Sequence, residues 1–156
     1  LEKFIQFVNE YPNPVLVAHN AKFDIKFVEA RGARCGVSIP PLTEVLDTLK
    51  ISRYFLAPTI QTLVDTDEDA TKLFQSLLRQ RGNLIHISSR LGELARAFEI
   101  DAKYWHTANA DVEMMLGVLL KMVKFLEKHH DVDIHKSQEN AIARDVKQHQ
   151  RPKTAG

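Results

Sequence analysis

The chain has 156 residues, enough for one ordinary domain with a real core. Its 44% hydrophobic and 26% charged content is that of a globular protein, and a net charge of +1 leaves any attraction to nucleic acid or membrane to local patches. The single Cys35 excludes an intrachain disulfide and a thiolate zinc cage and fits a reducing compartment, and no apolar run approaches membrane-spanning length.

Residues 1 to 9 carry Leu1, Ile5 and Val8 on one stripe and predict an amphipathic helix. Globular domains seldom open so abruptly, so a preceding segment of the natural protein is expected. Val15-Leu16-Val17-Ala18 is a short β-branched run after two prolines and reads as a buried strand. A helix over 22–31 follows, with Gly32 as its stop signal. The Gly36 to Pro41 stretch reads as loop. Val45-Leu46 suggests a second strand, and Asp47 opens a helix that Ala57-Pro58 should break near Phe55. The acids Asp67, Glu68 and Asp69 suit the positive end of a helix over 69–81, as a cap rather than a metal site. Gly82-Asn83 is a turn. Ser88 or Ser89 should cap a helix over 90–98, with Leu91, Leu94, Ala95 and Phe98 inward, and a long helix runs from Ala108 to His129. Beyond Val132 the pattern fades into a polar tail, read as surface helix or disorder. Short strands alternating with helices argue for an α/β sheet, and two strands alone cannot make one, so further strands are expected from the preceding segment.

Three residues invite chemistry. Positions 111, 115, 118, 122 and 126 share a helix face, and the last four are Met115, Val118, Met122 and Leu126. Asp111 is therefore expected at the end of a core-facing stripe, where an unpaired carboxylate costs roughly several kcal/mol. It is either a helix-start acid or a group that needs a cation. Asp24 stands at a strand-to-helix junction, the common location of ligand sites in α/β sheets, and carries the same two readings. His106 precedes the helix of Asp111, and an imidazole beside a metal-binding acid can take a proton from water near neutral pH. His19 is weighted lower, as a packing or hydrogen-bonding residue. Carboxylate oxygens favour magnesium or manganese over zinc, and such ions clamp phosphodiesters for attack by water. Spacing alone reaches a metal-dependent hydrolase and stops there.

The segments Val17-Ala18-His19-Asn20-Ala21-Lys22-Phe23-Asp24 and His106-Thr107-Ala108-Asn109-Ala110-Asp111 resemble the second and third motifs of the DEDDh family of 3′-to-5′ exonucleases. The likeness is to the proofreading exonucleases of bacterial DNA polymerase III. Between the motifs, Leu46-Asp47-Thr48-Leu49 and the segment from Leu91 to Ile100 resemble the family's intervening elements, so the resemblance covers roughly residues 1 to 127. It implies an α/β fold, a ribonuclease H-like mixed sheet flanked by helices and lacking its first strands here. Residues 1–130 would be a partial exonuclease domain, 57–87 an insertion within it, and 131–156 a polar C-terminal tail. Asp24 and Asp111 would be metal ligands for two divalent cations, Mg²⁺ or Mn²⁺, with His106 as general base. Asn20 and Phe23 would shape the pocket for the terminal nucleotide, and Asp47 would be a structural acid anchoring its helix. Trp105, with Tyr104, is placed either to stack on a base or to pack.

The implied partners are a single-stranded DNA or RNA 3′ end and a polymerase or other replication or repair protein, with no membrane and a cytoplasmic location. The family's first motif, Asp-x-Glu on an early strand, is absent from the chain, and Asp67 and Asp69 stand in a cap context and do not replace it. The alternative is a catalytically incomplete binding module with a nuclease fold. The tail mixes Lys136, Arg144 and Lys147 with Asp133, Glu139 and Asp145, which reads as a solvated face or as a partner contact.

Overall fold

A computed structural model describes residues 1–38, 44–101 and 107–149. Tyr104, Trp105 and His106, the segment around Pro40 and Pro41 that was expected as loop, and the last residues of the tail lie outside them. The chain divides into two compact units, Leu1–Thr48 and Leu49–Gly156. Both helices and small sheets are present, so the α/β class holds.

The first unit runs α1 (Glu2–Asn9), β1 (Val15–Ala18), α2 (Ala21–Cys35) and β2 (Glu44–Asp47). The two strands are parallel, with Val15 opposite Glu44 and Ala18 opposite Asp47. Parallel strands need a crossover, and α2 supplies it. Helix α2 runs past Gly32, which is buried within it. The true stop is Gly36, at φ 65°. The Gly36 N–H bonds Ala33 O and the Val37 N–H bonds Gly32 O, a Schellman closure that needs a left-handed residue and so fits glycine.

The second unit contains nearly all of the large buried side chains. Helix α3 (Thr48–Ile51) leads into a π-helical turn (Ser52–Leu56) and α4 (Ala57–Leu63). The expected break at Pro58 does not occur. Pro58 sits in the first turn of α4, where its missing N–H needs no partner, and the wider π-turn before it is closed by the Ala57 N–H on Ser52 O. Helix α5 (Glu68–Leu77) is capped by Asp67, whose side chain accepts from the Ala70 N–H at 2.8 Å.

Helix α5 ends earlier than its periodicity suggests. Leu78–Arg81 and Leu84–Ile87 form an antiparallel hairpin, β3 and β4, around Gly82-Asn83. Of the two turn residues only Gly82 has positive φ, at 60°, as a type II′ turn requires. Helix α6 (Leu91–Ala97) begins after Arg90; Ser88 Oγ accepts from the Arg90 N–H rather than capping the helix itself.

Helices α7 (Ala108–Lys128) and α8 (His135–His149) complete the unit. Leu56, Ile60, Leu77, Leu94, Val118 and Met122 are fully enclosed and form the centre of the core. The buried face of α7 is Met114, Val118, Met122 and Phe125, rotated from the expected stripe, so Met115 and Leu126 are only half-buried and Asp111 is exposed. Helix α8 packs on α4 and the π-turn, where Tyr54 OH donates to Asp145 Oδ2 at 2.6 Å and Arg53 stands 3.4 Å from the same oxygen. No helix among the described residues is long and apolar enough to cross a membrane.

Candidate functional site

The β1–α2 turn is built by a polar clamp at the ends of the two parallel strands. Asp47, the last residue of β2, accepts the Asn20 N–H on Oδ1 at 3.0 Å and the Ala21 N–H on Oδ2 at 3.1 Å. Both N–H groups belong to the opening of α2, which has no side-chain cap of its own. The carboxylate therefore does the capping from the neighbouring strand. It also supports Asn20 in the left-handed region, at φ 74° and ψ 52°, a conformation that asparagine tolerates better than most residues. Asp47 is a structural acid, as expected, and the helix start held by these two bonds is that of α2.

Thr48 completes the clamp. Its hydroxyl has one proton, which goes to Ala18 O at 3.2 Å. His19 Nδ1 lies 2.9 Å from the same hydroxyl and joins the clamp. Thr48 is fully buried and was not singled out from the sequence. The signal that could have found it is the Asp-Thr pair closing an apolar strand, because polar groups buried there must be satisfied by neighbouring backbone.

This turn fixes where the predicted residues stand. Asn20 is exposed at the turn, Phe23 is the third residue of α2 with 69% of its surface open, and Asp24 is exposed in the first helical turn. These three are brought together on one short segment. Asp111 lies in the second unit, in the first turn of α7, where Thr107 caps the helix by accepting from the Ala110 N–H at 3.4 Å. The helix dipole favours a carboxylate at both positions. Trp105 and His106 fall outside the described residues. Among the described residues no group of three or more His, Cys, Asp or Glu is gathered closely enough to hold a metal. Asp24 and Asp111, each in its own unit, are exposed carboxylates, and carboxylate oxygen is the donor type that magnesium takes.

The acids at Asp67 and Asp69 are accounted for structurally. Lys128 Nζ lies 2.8 Å from Asp69 Oδ2 and 3.6 Å from Asp67 Oδ2, and His129 Nε2 lies 3.6 Å from Asp67 Oδ2. The Ala70 N–H, and then Lys128 and His129, hold the Asp67 carboxyl below its ordinary value against the opposing effect of burial. The reading of this cluster as a helix cap stands.

In comparison with known proteins the chain is similar to one class, bacterial DNA polymerases. The particular relatives are DNA polymerase III PolC-type proteins. The one from Caldanaerobacter subterraneus subsp. tengcongensis is 29% identical over 128 residues, covering 82% of this chain and 7% of the relative. That of Streptococcus pneumoniae is 30% identical over 133 residues, covering 85% and 7%. That of Streptococcus suis is 28% identical over 141 residues, covering 90% and 8%. The resemblance read from the motifs therefore holds. The chain spans less than a tenth of the length of these relatives. No family model matches the chain, and no solved structure matches it.

Proposed function

We propose that this chain is the larger part of a ribonuclease H-like 3′-to-5′ exonuclease domain, related to a stretch of PolC-type DNA polymerase III, which removes nucleoside 5′-monophosphates from 3′ ends. The observation that carries the reading is the β1–α2 turn. It holds Asn20, Phe23 and Asp24 exposed at the C-terminal ends of parallel strands, the customary ligand position in α/β sheets. The similarity of most of the chain to DNA polymerases supports DNA as substrate.

In this reading Asp24 and Asp111 are metal ligands for magnesium or manganese, which when bound supplies charge neutralisation for the phosphodiester. Phe23 stacks on the terminal base and Asn20 bounds its pocket, with Trp105 as a second stacking surface. His106 accepts the proton of the attacking water. The water oxygen bonds to phosphorus, the bond from phosphorus to the penultimate O3′ breaks, and that oxygen leaves to be protonated. The partners are a single-stranded or frayed 3′ end and the replication machinery. Residues 57–87 are an insertion in the domain.

The test is made on the natural protein that carries this chain, with 5′-labelled 3′-overhang DNA and matching RNA, in magnesium, manganese or chelator. Stepwise, metal-dependent 3′ shortening is expected, reduced about 10²- to 10⁴-fold by His106→Ala and unaffected by Asp67→Ala. Unchanged shortening by His106→Ala would remove the assignment of the base. No shortening by the wild type would leave a binding module, with Asp24 and Asp111 as helix-start acids.

A further inference from the structure

The hairpin Leu78–Ile87 has two unlike faces. Its register sets Arg79 opposite His86 and Arg81 opposite Leu84, so these four side chains share one face. Leu78, Gln80, Ile85 and Ile87 share the other. Ile87 is buried in the core of the second unit and Leu78 is half-buried, so the second face turns inward at the base of the hairpin, while Gln80 and Ile85 are exposed nearer its tip. Arg81 and His86 are exposed, and Leu84 is 58% exposed beside Arg81.

Charge on this ribbon is one-sided. No carboxylate occurs between Leu78 and Ile87. The carboxylate beside Arg79 is Glu93 on α6, 3.4 Å from Arg79 Nε. Ser88 first, and then Arg79 and Arg90, hold the Glu93 carboxyl below its ordinary value. Two arginines, Arg79 and Arg90, thus share one acid, and Arg81 stands exposed beyond them. Basic side chains directly opposite or diagonal on a sheet face repel when charged, a cost the fold would shed by replacing either with a neutral residue. A positive outward face on a projecting ribbon matches a polyanion laid across it. The exposed Leu84 adds an apolar contact for sugar or base, and with no aromatic on the hairpin the contact is led by the phosphates.

We propose that the outward face of the β3–β4 hairpin, Arg79, Arg81 and His86, holds the phosphate backbone of single-stranded nucleic acid. It rests on the nucleic-acid reading above and gives the insertion a role of its own, gripping the body of the strand without regard to sequence, apart from the residues assigned to hydrolysis. Because Arg81 projects from the tip region and Arg79 is tied to Glu93, Arg81 is the residue to vary.

The experiment measures binding of the full chain to a fluorescein-labelled oligothymidylate by anisotropy, in chelator, across a salt series. Arg81→Ala is expected to weaken binding and to lower the slope of log affinity against log salt by about 0.7, the share of one phosphate contact on a single strand. Arg81→Glu should weaken it further and Arg81→Lys should restore it, with circular dichroism unchanged in all three. Wild-type affinity and slope in Arg81→Glu would overturn the inference, as would no binding by the wild type or a preference for polyglutamate as probe. The two readings fail separately. A wild type that trims 3′ ends while Arg81→Glu binds normally removes the hairpin contact alone. A wild type that trims nothing while Arg81→Glu loses binding removes the exonuclease alone.

Discussion

Each of the two units is stabilised internally by different means. In the second, Leu56, Ile60, Leu77, Leu94, Val118 and Met122 are enclosed by one another across α4, α5, α6 and α7, and apolar burial is the main term. In the first, Val8 on α1 is buried, but the other buried groups, Ala18, Ala21, Asp47 and Thr48, are small or polar, while Phe23, Phe27 and Leu46 are exposed. Hydrogen bonds accepted by Asp47 and donated by Thr48 do there what packing does in the second unit. A core tolerates little change in volume but is indifferent to direction, whereas a polar clamp sets direction and offers little volume. The clamped unit is the one whose turn leaves Asp24 and Phe23 exposed.

That contrast predicts where substitutions act. The largest effect belongs to the core. Leu94→Ala removes a fully enclosed side chain from α6 and should cost about 3 kcal/mol, read as a lowered urea midpoint and a fall of about 10 °C in Tm. If the second unit carries the stability, exchange protection should fall across α5, α6 and α7 together. A loss under about 1 kcal/mol would mean that this core is not the cooperative one.

Asp47→Ala comes next and tests the clamp. It leaves the Asn20 and Ala21 N–H groups without their acceptor, at a cost of about 2 kcal/mol. Hydrogen exchange should speed up at those two amides and along the first turn of α2, and little in α6 or α7. Asp47→Asn retains one acceptor and should fall between. If Asp24 and Phe23 act as proposed, 3′ shortening should drop in step with the loss of protection at Asn20. Activity that survives a loosened turn would separate the turn from the chemistry.

Much of this organisation was legible in the residues. Strand β1 could be read from its β-branched run, α7 from its length and period, and the cap at Asp67 from its acids. The placement of Asn20, Phe23 and Asp24 on one turn followed from the strand-to-helix junction. Three features were not legible, for physical reasons. Leu77 and Leu78 continue the helical period of α5, and only the two-residue turn at Gly82-Asn83 decides for a hairpin. Pro58 looks like a breaker unless the π-turn before it is known. The exposure of Asp111 depends on which of two overlapping apolar stripes on α7 meets the core. Met114 and Phe125 won over Met115 and Leu126, and the period is the same for both. The role of Asp47 was half-legible, since an acid ending a strand must be satisfied, but its partners lie about one helix away in sequence.

The smallest effect tests a polar contact inside the apolar unit. Asp67 caps α5, and its carboxyl is held below the ordinary value first by the Ala70 N–H and then by Lys128 and His129. A group whose folded pKa is depressed adds stability that is present above the unfolded value, about 3.9, and is lost as pH falls through the folded value. Unfolding free energy should therefore decline below about pH 4, in part through this one residue. Asp67→Asn keeps an acceptor for the Ala70 N–H and removes the titration, so the decline should become shallower, while stability at neutral pH changes by no more than about 1 kcal/mol. Asp67→Ala also loses the cap and should cost about 1 kcal/mol at neutral pH. An acid limb that is identical in wild type and Asp67→Asn would mean that the corner joining α5 to the end of α7 is held by packing, like the rest of its unit, and that polar direction-setting is confined to the first unit.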